Sequence, residues 1–185
     1  MGKAEEIGKK ALKLYKSLTD EHSIADESGV IKRLGQDWVA LGLKYYPYQI
    51  MKLMSDISSE EVAAEGMYQF GYKCGKEICS RYISLGKEGR AAIEFTCAGA
   101  TYFGWGAIEI IEFTEERGVA RVYNSFEARS YFANNKRKSS VPQCNFFRGV
   151  IAGVGHTYWN REAKAKELKC IAMGDKYCEV EAVAV

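Results

Sequence analysis

The hydrophobic period of this chain changes near residue 104, and that change limits what it can fold into. Before it, apolar residues recur at helical spacing. Ile7, Ala11, Leu14 and Leu18 form one stripe over residues 3–19, with lysines around it. Leu34, Trp38, Leu41 and Tyr45 repeat the spacing and predict a second helix that Pro47 should end or kink. Ser58 followed by Glu61 reads as a capping box opening a third helix, with Met67, Phe70, Cys74, Ile78 and Tyr82 as its apolar stripe. A fourth helix is expected over residues 87–102, with Ile93, Cys97 and Ala100 on one face. Beyond that point Trp105 to Phe113 and Val119 to Phe126 read as strands. The EERG run at 115–118 would make their turn, leaving Gly118 free to take positive φ. Pro142 suits the first turn of a fifth helix reaching about Trp159, on which Gly149 and Gly153 would admit a close backbone approach. Two closing strands, about Ala165–Ala172 and Lys176–Val183, meet at Gly174–Asp175. The sum is α+β: four or five helices packed on a four-stranded antiparallel sheet.

Composition removes several function classes. At 185 residues the chain fits one domain able to bury roughly two-thirds of its unfolded surface, so it needs no covalent staples. Residues 1–55 would supply N-terminal helices and 56–185 the core. A net charge of +2 argues against nucleic acid or an anionic membrane as partner. No run of about 18 apolar residues exists to span a membrane, and no secretory signal is visible. A cytoplasmic location is expected, where cysteines stay reduced. The basic run NNKRKSS at 134–140 reads as a solvated loop; an anion-binding patch is the functional alternative, on a weak footprint of three cations. There is no phosphate-binding G-x-x-x-x-G-K-[ST] loop, no nucleotide-binding glycine loop and no helix-turn-helix in the first 55 residues. A stand-alone domain is therefore expected, and the missing hydride or electron source weighs against an enzyme. His22 reads as a surface residue, and His156 as a helix C-terminal residue facing the dipole.

Six cysteines and no CxxC pair remain to be explained. Cys74 and Cys97 fall on helical stripes and Cys79 beside one, which are core positions. Cys144 opens a helix, where the dipole favours a thiolate. Cys170 and Cys178 flank the last turn. A two-residue turn there leaves them on opposite sheet faces, whereas an odd-length turn brings both to one face. If they also meet Cys144, three sulfurs converge and zinc in a tetrahedral site is the natural guest. Glu167 is the nearest fourth donor. Strand alternation turns it away from Cys170 unless a bulge intervenes. His156 lies about three helical turns from Cys144, roughly 18 Å, too far for the same ion. The competing reading is three cysteines in a helix-on-sheet core.

The pattern PQCNFF at 142–147, Gly149 and Gly153, then ELKC at 167–170, Gly174, Asp175 and Cys178, with GWG at 104–106 and NSFEA at 124–128, resembles the 4-vinyl reductase-like domain family. The resemblance spans roughly residues 55–185. It implies the α/β fold of TRAPP vesicle-tethering subunits and of the sensory domains of aromatic-responsive bacterial regulators, commonly as homodimers. It further implies a zinc ion held by Cys144, Cys170, Cys178 and Glu167 beside a pocket for a small hydrophobic or aromatic ligand. Zinc held by four protein ligands would be structural.

The first reading is thus a zinc-stabilised sensor or carrier with an apolar, aromatic-lined pocket, for which Trp105, Phe126, Tyr131, Phe146, Phe147 and Ile151 are the candidates. The same residues would serve equally as ordinary core. A tetrapyrrole 4-vinyl reductase or its accessory protein is one alternative. A thiol redox switch or a protein-interaction scaffold is another.

Overall fold

The structure, a computed structural model, describes residues 2–17, 31–33, 36–38 and 40–185. Helix α1 (Lys3–Lys16) carries Glu5 and Glu6 in its first turn and Lys13 and Lys16 in its last, matching the helix dipole at both ends. Ala11 and Tyr15 are its buried residues, and the Tyr15 ring stacks 4.3 Å from Tyr102. Leu18 lies outside the described residues.

The helix expected through Leu34, Trp38, Leu41 and Tyr45 does not form. Ile31–Arg33 (β1) and Gln36–Trp38 (β2) pair antiparallel instead, and turns fill 43–47; Leu34 lies outside the described residues. The spacing matched a helix, but no surface exists for such a face to bury: Leu41 and Tyr45 are exposed, while Trp38 stacks on Phe103 at 4.1 Å. Pro47 stands immediately before a helix rather than ending one. Here α2 (Tyr48–Ile57) begins, consistent with proline's preference for helix starts.

Helix α3 (Glu60–Ser84) is capped by Ser59, one residue later than expected; its hydroxyl accepts the Val62 N–H at 3.2 Å. The buried stripe is also rotated. It runs Ala63, Met67, Gly71, Gly75, Cys79, Tyr82, which puts Cys79 in the core and leaves Phe70 exposed. Crossing by α6 (Asn145–Trp159) sets this choice. A Cβ on Gly71 would lie 2.0 Å from Phe146 O, and one on Gly149 2.0 Å from Tyr68 O. Gly75 and Gly153 continue the same seam, so the two backbones pack directly together. Helix α4 (Arg90–Tyr102) lies beside them, with Ile93 and Ala100 buried and Cys97 partly buried.

Strands β3 (Ala107–Phe113), β4 (Arg117–Tyr123), β5 (Ala163–Lys169) and β6 (Cys178–Ala184) form one antiparallel sheet in the order β3-β4-β6-β5. The β3–β4 turn is closed at Thr114, whose N–H donates to Arg117 O at 2.8 Å. Gly118 is not in that turn. It pairs with Phe113 inside the ladder, and its missing Cβ makes room for the Phe113 ring, 2.9 Å from where that Cβ would be. Helices α4 and α6 pack on the sheet. In one cross-strand row Glu109, Arg121, Glu179 and Lys169 alternate in sign, and Arg121 donates to Glu179.

The sequence did not predict α5 (Phe126–Asn134), which follows β4 after Asn124 in a left-handed conformation. Residues 135–143 then run as irregular chain. Pro142 belongs to that segment, and α6 starts only after Cys144. The α+β class and the four-stranded antiparallel sheet match expectation, with six α-helices among the described residues.

Candidate metal centre

The last two strands are not joined by a tight hairpin. Strand β5 stops at Lys169, a short 3-10 turn covers Ile171–Met173, Gly174 takes φ 111°, and β6 begins at Cys178. The last paired residues are Lys169 and Glu179, with residues 170–178 between them, an odd number. This register aligns Cys170 and Cys178 on one face. The pairing also slips between Glu167 and Lys169, a bulge that re-aims Glu167 toward the cysteines. Asp175 fixes the turn, its carboxylate accepting the Cys170 N–H at 2.8 Å.

From the other side, the N-terminus of α6 delivers Cys144, which stands at the cap position. The ligand atoms of Cys144, Glu167, Cys170 and Cys178 all lie within 4.8 Å of one another, and the three cysteines have no solvent exposure. Cys144 Sγ is 3.2 Å from Cys178 Sγ and 3.3 Å from the Ser125 hydroxyl. Backbone donors point inward on three of the four groups. Gln143 N–H meets Cys170 Sγ at 3.4 Å, Ile171 N–H meets Cys178 Sγ at 3.2 Å, and Cys144 N–H meets Glu167 Oε2 at 3.0 Å.

The electrostatics follow from crowding four acids in one dry space. Hydrogen bonds to Cys170 and Cys178, then burial, push the Cys144 thiol up. Cys178 is also raised: its bond with Cys144 works downward, but its bond to Cys170 and its burial outweigh that. Cys170 collects the bonds from Cys144 and Cys178 and is lowered. Burial, then the nearby Cys170, pushes Glu167 up to about 9. One thiolate is thus stabilised by donors while its neighbours keep their protons. A cation would replace those protons.

Two features fit the donor set to a metal ion. Glu167 Oε1 is buried with no hydrogen-bond partner, an expensive state for a carboxyl oxygen unless something else binds it. Three sulfurs and one carboxylate form the ligand count and softness of a closed tetrahedral site for a borderline cation. The inward N–H groups would be the outer shell that orients such ligands.

Sequence reasoning did not find Gln143, Ile171 and Asp175, because two of them act through backbone atoms. The GlyAsp pair was visible only as a turn. It also missed Glu127, which is buried and accepts the N–H groups of Phe146 and Phe147 at 2.9 and 2.8 Å, holding the start of α6. Burial pushes its carboxyl up to about 8. An isolated acid between Phe126 and Ala128 was its available signal. His156 is remote from the cysteines, and its Nδ1 lies 2.8 Å from the Tyr72 hydroxyl. His22 lies outside the described residues.

The six expected pocket residues separate. Phe147 and Ile151 border a small apolar cavity of about 30 Å³ between the sheet and helices α4 and α6. Trp105, Phe126 and Phe146 pack on one another with ring centroids 5.2 to 5.9 Å apart. Tyr131 faces a different, open cleft beside α2.

Residues 119–184 match the family model of the V-4-R (4-vinyl reductase) domain, which bears out the resemblance to the 4-vinyl reductase-like family over that segment. No curated protein matches the chain by sequence. Among solved structures, the phenol-responsive sensory domain of the transcription activator PoxR, with phenol, superposes at TM-score 0.80 and 16% identity, covering 93% of this chain and 89% of that one. A vinyl-4-reductase family protein from Methanocaldococcus jannaschii gives 0.55 and 14%, covering 100% and 97%. A trafficking protein particle complex subunit 3 from Naegleria fowleri, covalently bound to palmitic acid, gives 0.54 and 14%, covering 77% and 92%. The fold is therefore shared with a sensory domain, a vinyl-4-reductase family protein and a trafficking-complex subunit. Among the described residues no helix is long and apolar enough to cross a membrane.

Proposed function

We propose that this chain is a metal-stabilised small-molecule-binding domain of the sensor or carrier kind. The observation that carries the metal half is the convergence of Cys144, Glu167, Cys170 and Cys178 around an unpartnered buried carboxyl oxygen. Zinc is the ion proposed. It would neutralise the thiolates and tie the start of α6 to the β5–β6 turn. A closed four-ligand site leaves no open position for catalysis, so the role is structural.

The ligand half rests on the fold shared with the phenol-responsive domain of PoxR. In this chain the apolar cavity bounded by Ile93, Cys97, Ile108, Val119, Phe147 and Ile151 is the candidate site for a small hydrophobic or aromatic guest. At about 30 Å³ it has room for little more than water. A guest of one ring must therefore part the helices from the sheet, moving Phe147 and the Trp105–Phe126–Phe146 cluster behind it. Such ordering of a closed cavity by a ligand is a usable signal. The expected homodimer would carry that signal onward.

Plasma mass spectrometry of the purified protein and of a Cys170→Ser/Cys178→Ser variant tests the metal. About one zinc per chain, lost in the variant, is expected; none in either would overturn the site. Melting curves with phenol and with toluene test the guest, which should raise the melting temperature. No shift with either would remove the sensor reading and leave the metal site standing.

A thiol redox switch is the second reading, favoured by the 3.2 Å separation of Cys144 and Cys178 sulfurs. Peroxide would be reduced to water as the two thiols lose two protons and two electrons to form the disulfide. Peptide mapping after mild peroxide should then show a Cys144–Cys178 link with zinc released. Intact zinc and free thiols would eliminate it.

A further inference from the structure

An open cleft of about 790 Å³ lies on the outer side of the metal centre, and it shares no lining residue with the apolar cavity. Its walls are α2, the start of α3, residues 135–143, the first turn of α6 and β5. The volume is in the range of sites for drug-sized ligands.

Its charge is unbalanced. Lys52, Arg137, Lys138, Arg148 and Lys166 face Glu60, Glu61 and Glu167 across it. Glu167 is turned toward the cysteines, and a hydrogen bond with Ser59 engages Glu61 at the helix start. Lys52 and Lys166 already have partners, Asp56 and Glu181. Arg137 and Lys138 have no ion pair among the described residues, and Lys138 lies along Gly174 of the metal-site turn. Arg148 is held with its guanidinium carbon 4.6 Å over the Tyr68 ring, and its buried Nε–H has no acceptor. The cations of the NNKRKSS run are therefore not isolated. The fold sets two of them beside an under-used arginine in a concave site. Tyr48 and Tyr131, ring centroids 5.7 Å apart, supply an aromatic surface in the same cleft.

We propose that this cleft binds an organic anion, an aryl carboxylate or sulfonate with its acidic group among Arg137, Lys138 and Arg148 and its ring against Tyr48 and Tyr131. Arginine suits the acidic end because its planar fork matches a carboxylate or sulfonate. The site is independent of the guest proposed for the apolar cavity.

Calorimetric titration of the full chain with naphthoate, beside the neutral isostere naphthamide and in a buffer free of organic anions, is the test. Naphthoate should bind saturably, weaken as salt rises, and lose about tenfold in affinity in Arg137→Gln/Lys138→Gln. Naphthamide should bind more weakly and be indifferent to that variant. Both substituted side chains are exposed, so zinc content and melting temperature should not change. Arg148→Gln should weaken naphthoate further; if that variant unfolds, the double variant still decides. Equal binding of acid and amide, an affinity untouched by the double variant, or no saturable binding at millimolar naphthoate would each overturn the proposal.

Discussion

Cys178 and Cys97 contrast two uses of one residue type. Cys178 is fully buried among three other acids, whereas Cys97 is partly buried at the edge of an apolar cavity. With zinc bound, Cys178→Ala removes a ligand from a site whose kind contributes on the order of 10 kcal/mol in small peptides. Cys97→Ala removes one packed sulfur, at a cost of a few kcal/mol at most. Melting of the two variants should therefore differ widely, with Cys178→Ala much the lower; equal melting temperatures would contradict a metal role. Protonation gives a second check. In the metal-free protein Cys144, Cys178 and Glu167 are all raised and hold protons at pH 7, while Cys170 is lowered and does not. Zinc must displace those protons, so affinity should rise with pH and fall on acidification. Calorimetry in two buffers of different ionisation heat should count about three protons released per zinc; none would mean the ligands were already ionised. The cysteine trio was visible in the sequence because thiols are few and their neighbours ordered. The bulge at Glu167 was visible only as a condition, since nothing local to ELKC dictates a slip in pairing.

Helices reveal where pattern reading fails. The glycine pair on α6 was legible because glycine four residues from glycine has little use except close approach. Its partner pair on α3 was not, because Phe70, Cys74 and Ile78 offered a competing apolar stripe, and only the crossing with α6 decides between them. The false helix at residues 34–45 has the same cause: apolar spacing without a surface to bury it. Substitution can measure this distinction. At Gly149 a Cβ would sit 2.0 Å from the Tyr68 carbonyl oxygen, so Gly149→Ala must push two backbones apart. At Gly66 the obstacle is the flexible end of Met54, 2.7 Å away, which can swing aside. Alanine at Gly66 should leave stability unchanged or raise it by about 0.5–1 kcal/mol through helix propensity. Alanine at Gly149 should cost more than the roughly 1–3 kcal/mol typical of an overpacked core. Denaturant midpoints for the two variants would decide; a tolerated Gly149→Ala would mean the α3–α6 contact yields easily.

For the whole molecule, the change of period foretold α+β with a four-stranded sheet, but not the order β3-β4-β6-β5 or the separate β1–β2 pair. Strand order depends on which edges meet in space, and a sequence carries no record of that. Nor does it say which apolar residues remain outside. On α2 the stripe Ile50, Leu53, Ile57 recurs at helical spacing yet is 43%, 63% and 79% exposed, and α2 has no buried residue. A stripe this regular facing water is unusual on a monomer, where exposed apolar residues are normally scattered. If the homodimer implied by the family resemblance forms, this face belongs in its interface. Leu53→Glu/Ile57→Glu should then halve the mass found by sedimentation, because two carboxylates desolvated against two others cost several kcal/mol. The same change should leave zinc content untouched, since the stripe is remote in sequence from the metal ligands and makes no buried contact within the chain. A wild-type protein that sediments as a monomer would remove the dimer. A dimer that survives the double substitution would place its interface elsewhere, with the charged row on the sheet as the next surface to change.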